Sequence, residues 1–210
     1  MTPAWTASAA TENAAPRIVW SIAGNDSGGG AGLSADARAA AAFGVHLCPV
    51  VAAVTAQNSL AVTRVEPIAP ELLDAQLAAL VDDLPPAAIK TGLLGSAANI
   101  AVVARWIDRL RQRAPVALVV DPVLGASSGA AFGDDAVLAA YRDWLLPRAT
   151  LVTPNEREAR RLVGDAPPDP HPRPSGERAG VRGQPGEPSD VPALAVALRA
   201  QGAQAVAITG

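Results

Sequence analysis

The chain has 210 residues, enough for one domain with a sizeable core and too few for two typical domains with linkers. Half of the residues are apolar but only 3% are aromatic, so the core must be built mainly from Ala, Val, Leu and Ile, and base-stacking platforms for nucleic acid are disfavoured. A formal net charge of -3 gives no basic footprint for DNA, RNA or an anionic membrane, so an anionic ligand has to be held by local groups.

Lys90 is the only lysine among 17 Lys and Arg residues. The single cysteine, Cys48, excludes an internal disulfide and reads as a core residue, and His46 and His171 have no metal-ligand spacing with it. Residues 1–16 carry neither a positively charged start nor a continuous apolar run, so they read as a disordered tail rather than a signal peptide or an anchor. The most apolar stretch, 39–56, is broken by Gly44, His46 and Pro49, as expected at a helix-to-strand boundary rather than in a membrane span. The expectation is a cytoplasmic protein.

Along the chain, residues 18–23 form a short apolar run that ends in a glycine loop at 24–32, and an Ala-rich segment follows to Phe43: strand, loop, helix. Residues 45–56 read as a buried strand ending at Gln57, and Leu73, Leu77, Leu80, Val81 and Leu84 mark one helix face. A short strand at 87–91 ends at Gly92. Val103, Trp106, Ile107 and Leu110 give the next helix, 116–120 a strand ended by Asp121 and Pro122. Val137, Tyr141, Trp144 and Leu145 repeat the helical spacing, 150–152 is a strand, and Asn155 opens another helix. Residues 165–190 contain seven Pro and four Gly in 26 residues with almost no apolar content, which predicts a disordered insertion. A helix at 191–201 and a strand at 205–209 complete the pattern. Residues 17–210 thus read as one α/β domain with a mostly parallel central sheet and helices on both faces. Asp26, Gln57, Lys90, Asp121 and Asn155 all fall at strand ends, the edge where open α/β sheets bind ligands.

Three features carry candidate chemistry. The glycine loop leads into a helix N-terminus, so its backbone N–H groups are suited to an anion or to the polar edge of a ligand; glycines serving only a tight turn are the plain alternative. Gly30 to Ala35 also fits a dinucleotide fingerprint, but the acidic residue such a site needs after the second strand is replaced by Gln57 and Asn58. That leaves a nicotinamide-dependent oxidoreductase as the weakest reading. Gln57 offers a carbonyl acceptor beside an amide donor, the pairing that the edge of an aminopyrimidine requires, though a Gln at a strand end also caps loops. Asn155 followed by Glu158 reads either as a capping box or as a pair orienting water around Mg²⁺ near transferring phosphates.

The order of these pieces resembles a known family. Segments 21–36 (SIAGNDSGGGAGLSAD), 54–58 (VTAQN), 89–94 (IKTGLL), 120–123 (VDPV) and 153–159 (TPNEREA) are similar, in register, to the hydroxymethylpyrimidine/phosphomethylpyrimidine kinases of thiamine biosynthesis, and the likeness runs from Ile18 to Gly210. The resemblance implies a ribokinase-like fold, ATP and Mg²⁺ as cofactors, and two phosphoryl transfers, first to 4-amino-5-hydroxymethyl-2-methylpyrimidine and then to its monophosphate. It implies substrate contacts at Gly24, Gln57 and Leu93, with Asp36 close to the pocket. It also places Asp121, Asn155, Glu158, Thr209 and Gly210 on the phosphate and ATP side, with Asn155 and Glu158 on the metal through water. Leu93 stands where many members have Met, and Gly28 where many have Ser. Partners are then a pyrimidine and ATP, with no nucleic acid and no membrane, and a homo-oligomer is left open. Family members continue past the last strand to a glycine-rich turn with the catalytic residue, so the fold is expected to be incomplete at the C-terminus and the catalytic residue to lie beyond Gly210. Binding without turnover, as in a remnant that only holds the pyrimidine, and a related pyridoxal-type kinase are the alternatives.

Overall fold

The computed structural model describes residues 16–125, 134–164 and 190–209. The expected tail and insertion therefore lie outside the described residues, apart from Pro16 and Asp190, and so does Gly210. Seven strands form one sheet in the order β3-β2-β1-β4-β5-β6-β7: β1 (Ile18–Asp26), β2 (His46–Gln57), β3 (Val62–Pro67), β4 (Ala88–Thr91), β5 (Ala117–Val120), β6 (Leu151–Val152) and β7 (Ala205–Val206). All neighbours are parallel except β2 and β3, which pair antiparallel through a short connection. The chain builds outwards from β1 to β3, then returns to place β4 against β1. The strand order thus reverses between β1 and β4, which makes the C-terminal edge there the topological switch point of a doubly wound sheet, the place where such folds bind ligands.

The near-continuous apolar character of β1 and β2 follows from their central place, with helices against both faces. Trp20, Ile22, Ile89, Leu118, Val120 and Val152 are buried on one face with Leu73 and Leu77 of α2 (Pro70–Leu80) and with Ile100, Val103, Trp106, Ile107 and Leu110 of α3 (Ala97–Arg111). The Trp20 indole N–H, buried with them, donates to the Leu84 carbonyl at 2.8 Å. Helix α1 (Gly32–Ala42) lies over β1 and β2 and brings Asp36 down to the other face. Where β2 extends past the end of β3, Gln76 of α2 substitutes for a strand: its amide exchanges two 3.0 Å bonds with the Val51 N–H and carbonyl. Cys48 is buried in the core, as its composition context predicts.

Two elements differ from the sequence expectation. Strand β3 was not anticipated, and it makes one edge of the sheet antiparallel. The expected helix over 137–145 is α4 (Asp135–Ala140), continued by a wider π turn at Tyr141–Leu145 and a 3-10 turn at Leu146–Arg148. The extra residue in the wide turn keeps Tyr141 and Leu145 buried while Trp144 is turned out, 40% exposed, against the periodicity that placed it on the core face. Helices α5 (Glu156–Val163) and α6 (Val191–Ala200) pack on each other beside the last strands. Among the described residues no helix is long and apolar enough to cross a membrane.

Candidate active site

The loop after β1 is closed by its own acid. The Asp26 carboxylate, 7% exposed, accepts backbone N–H bonds from Gly28 at 2.7 Å, Gly30 at 2.9 Å and Ala31 at 2.8 Å. Of the loop N–H groups read as suited to an anion or to the polar edge of a ligand, these three are taken by an internal anion, which for them favours the plain alternative of a closed turn. Gly32 opens α1 with φ +53, and a Cβ there would fall on the Gly24 carbonyl oxygen, so this glycine is required by close backbone approach.

The substrate-side candidates converge on that loop. A Cβ on Gly24 would lie 3.2 Å from Leu93 Cδ2, so Gly24 and the Leu93 side chain are in contact beside the β1/β4 switch point. Gln57 is tied to the same loop from the β2 side: the Ser27 hydroxyl donates to the Gln57 carbonyl at 2.7 Å and accepts from its N–H at 2.8 Å. Thr55 steadies the strand end by donating to the Asn25 carbonyl at 3.0 Å. Gly24, Gln57 and Leu93 are thus brought to one edge, as their strand-end positions predict.

Beneath them lies a charged cluster that the sequence did not assemble. Ser21 and Lys90 are directly paired across β1 and β4 and so share a face. The Lys90 ammonium contacts the Asp36 carboxylate at 3.0 and 3.2 Å and reaches Asp121 at 3.8 Å, while the Ser21 hydroxyl donates to Asp36 at 2.6 Å. The sequence marks Lys90 as the lone lysine at a strand end and places Ser21 and Lys90 within the family-like segments 21–36 and 89–94, without pairing them. The available signal was a polar residue at the same height in two otherwise apolar strands.

The phosphate-side candidates sit one strand further on. Asn155 and Glu158 form a complete capping box at the start of α5: the Asn155 side chain accepts the Glu158 N–H at 2.9 Å and the Glu158 carboxylate accepts the Asn155 N–H at 3.0 Å. The other Glu158 oxygen accepts the Leu124 N–H at 3.2 Å, which ties α5 to the segment after β5. Thr209 bridges Asn155 and donates its N–H to the Pro154 carbonyl at 2.9 Å.

Burial pushes the Asp121 carboxyl above the usual carboxylate range; Lys90 pulls it back and Asp36 adds to the rise. Burial also raises Glu158, against the pull of the Asn155 and Leu124 N–H groups, with Asp121 adding to the rise. Two carboxyls pushed upward by burial, a strand apart at a sheet edge, are the kind of arrangement found at functional sites. A carboxyl whose folded pKa is raised adds stability that is complete below the unfolded value of about 4 and is lost as pH climbs through the folded value. Asp121→Asn, which leaves a balanced Lys90 and Asp36 pair, is therefore expected to melt a few degrees above the parent chain at neutral pH and to vary less in stability from mildly acidic to neutral pH. An unchanged or lower melting temperature in thermal scans at neutral pH would refute this account of Asp121.

The profile of the phosphomethylpyrimidine kinase family matches residues 26–174. The chain belongs to that family. Its similarity to the hydroxymethylpyrimidine/phosphomethylpyrimidine kinase of Synechococcus elongatus is 48% identity over 147 residues, covering 70% of this chain and 54% of that protein. The kinase of the same description from Mycobacterium leprae is 46% identical over 149 residues, covering 71% and 53%. The chain thus spans about half the length of the curated relatives it matches. Among solved structures, the Clostridium difficile phosphomethylpyrimidine kinase superposes with TM-score 0.73 at 28% identity, over 92% of this chain and 75% of that one. Bacillus subtilis pyridoxal kinase in an ADP complex gives TM-score 0.72 at 28% identity, over 93% and 66%. The α/β architecture with a mostly parallel seven-stranded sheet is that of these ribokinase-like vitamin kinases.

Proposed function

We propose that the chain carries the substrate-facing part of a hydroxymethylpyrimidine/phosphomethylpyrimidine kinase, which uses ATP to phosphorylate 4-amino-5-hydroxymethyl-2-methylpyrimidine and then its monophosphate in thiamine biosynthesis. The observation that carries this reading is that Gly24 and Leu93 touch beside the β1/β4 switch point while Gln57, at the end of neighbouring β2, is tied to the same β1 loop, with Asp36 of α1, Lys90 of β4 and Asp121 just after β5 clustered nearby. In it the pyrimidine lies against Gly24 and Leu93, and the Gln57 amide reads its amino edge with one donor and one acceptor. Asp121, Asn155, Glu158 and Thr209 face the phosphates, with a cytoplasmic setting as part of the same proposal; Gly210, assigned to that side from the sequence, lies outside the described residues.

Phosphoryl transfer asks the protein mainly for positioning and for charge stabilisation. Asp121, raised in pKa and paired only at 3.8 Å with Lys90, stands nearest of these groups to the pyrimidine-side cluster and would orient the hydroxymethyl end of the substrate. Among the described residues no group of three or more His, Cys, Asp or Glu could hold a metal ion directly, and both Glu158 oxygens already accept backbone N–H bonds. That donor set fits Mg²⁺ carried on the phosphates with several waters, and Asn155 and Glu158 would hold it through water. The ion would neutralise charge on the transferring phosphate.

Calorimetry tests the reading. The chain is expected to bind 4-amino-5-hydroxymethyl-2-methylpyrimidine at one site and more tightly than pyridoxal, and Gln57→Leu, which leaves ligand polar groups unpaired, is expected to cost about 1–3 kcal/mol of that affinity. Unchanged affinity in Gln57→Leu removes Gln57 from the pocket, and a preference for pyridoxal overturns the substrate.

A further inference from the structure

We infer that Lys90 is a positioning residue of the pyrimidine pocket, holding the Asp36 carboxylate towards the ligand while tying it to Asp121 on the phosphate side. The inference rests on the reading of that pocket above. Its ground is the geometry of the cluster. An ammonium has three protons to donate, and a carboxylate oxygen can accept two bonds. Lys90 spends its near contacts on both Asp36 oxygens, at 3.0 and 3.2 Å, and its longer approach of 3.8 Å points to Asp121. Asp36 Oδ2 is filled by Ser21 and Lys90, whereas Asp36 Oδ1 accepts only Lys90 among the bonds found and keeps acceptor capacity. The side chains of Asp36, Lys90 and Asp121 are 21%, 27% and 36% exposed, so the cluster opens to solvent in steps from the pyrimidine side to the phosphate side.

The fold makes close room for this cation beside Gly92. A Cβ on Gly92 would sit 3.2 Å from the Lys90 ammonium and 3.0 Å from Ala23 Cβ, so the missing side chain at Gly92 is the space the ammonium occupies. A planar guanidinium needs more width and a different fork of donors, so arginine is not an equivalent residue here. That the chain's one lysine sits here, in a sequence that otherwise places arginine at its basic positions, agrees with a geometric demand rather than a demand for charge.

Because Lys90 is the only lysine, the full chain labelled with ¹⁵N-lysine yields a single side-chain ammonium resonance. It is expected to be observable through protection from solvent exchange, to shift in Asp36→Asn and in Asp121→Asn, and to shift again when 4-amino-5-hydroxymethyl-2-methylpyrimidine is added. Calorimetry on the same samples should show Lys90→Met weakening the pyrimidine at least tenfold, Lys90→Arg failing to restore it, and Lys90→Met adding little in an Asp36→Asn background, since both changes break one unit. A bound pyrimidine, seen as heat, that leaves the Lys90 resonance unmoved, or full rescue by arginine, overturns the inference alone and makes the cluster structural. No heat with the pyrimidine overturns the pocket reading together with it.

Discussion

Gly32→Ala is expected to destabilise the chain by about 3–5 kcal/mol or to prevent folding altogether. Residue 32 has φ +53, which by itself costs a side-chain-bearing residue about 1–2 kcal/mol. The larger part comes from overlap of the new Cβ with the Gly24 carbonyl oxygen. That oxygen belongs to the backbone of a central strand and cannot rotate away. Gly29→Ala is the matched control, since Gly29 also has a positive φ, +73, but nothing lies within 4 Å of its Cβ position. It should cost only the conformational penalty of about 1 kcal/mol. Urea unfolding of the two variants checks the pair, and equal losses would mean that the loop is not packed against β1 as described.

Asp26→Ala is expected to cost about 2–4 kcal/mol and to loosen the whole loop between β1 and α1. The carboxylate gathers three backbone N–H groups, which lose that acceptor when it is removed. Gly28, Gly30 and Ala31 are exposed enough for water to take over part of the role, which keeps the loss well below three full penalties. Because Ser27 ties this loop to Gln57, pyrimidine affinity should fall with stability in the same variant. A change below about 1 kcal/mol in unfolding free energy would show that the nest closes without its acid.

How far the fold could be read from the chain depended on how many neighbours each element has. The central strands and helices α2 and α3 announced themselves because the sheet and one helix face are buried, which imposes periodicity. Helix α1, with only Leu33 buried, was read instead from the glycine loop and Ala-rich run, α5 from Asn155 at its start, and α6 from the run after the Pro/Gly-rich segment. Strand β3 has one strand neighbour, and its exposed Arg64 and Glu66 pair with each other at 3.0 Å on the outer edge, so its residues answer to solvent rather than to a core. The π turn escaped because a single extra residue shifts the helical phase without leaving a compositional mark. In the site, Asp26, Gln57, Lys90, Asp121 and Asn155 were legible as strand ends, and Gly24 and Leu93 through the family resemblance. The Lys90 contact to Asp36 was not, since 54 residues separate them and only the packing of α1 on β1 brings them together. The closure of the loop by Asp26 was legible in principle, since an Asp side chain can accept the backbone N–H two residues on, here that of Gly28.

The central claim is that the β1/β4 switch point is a pyrimidine site, and a crystal structure of the chain with 4-amino-5-hydroxymethyl-2-methylpyrimidine tests it most directly. The ring is expected against Gly24 and Leu93, its amino edge on the Gln57 amide and its hydroxymethyl group turned towards Asp121. Density for the ring at any other place on the molecule, with this edge empty and Gln57 bonded only within the protein, would contradict the account.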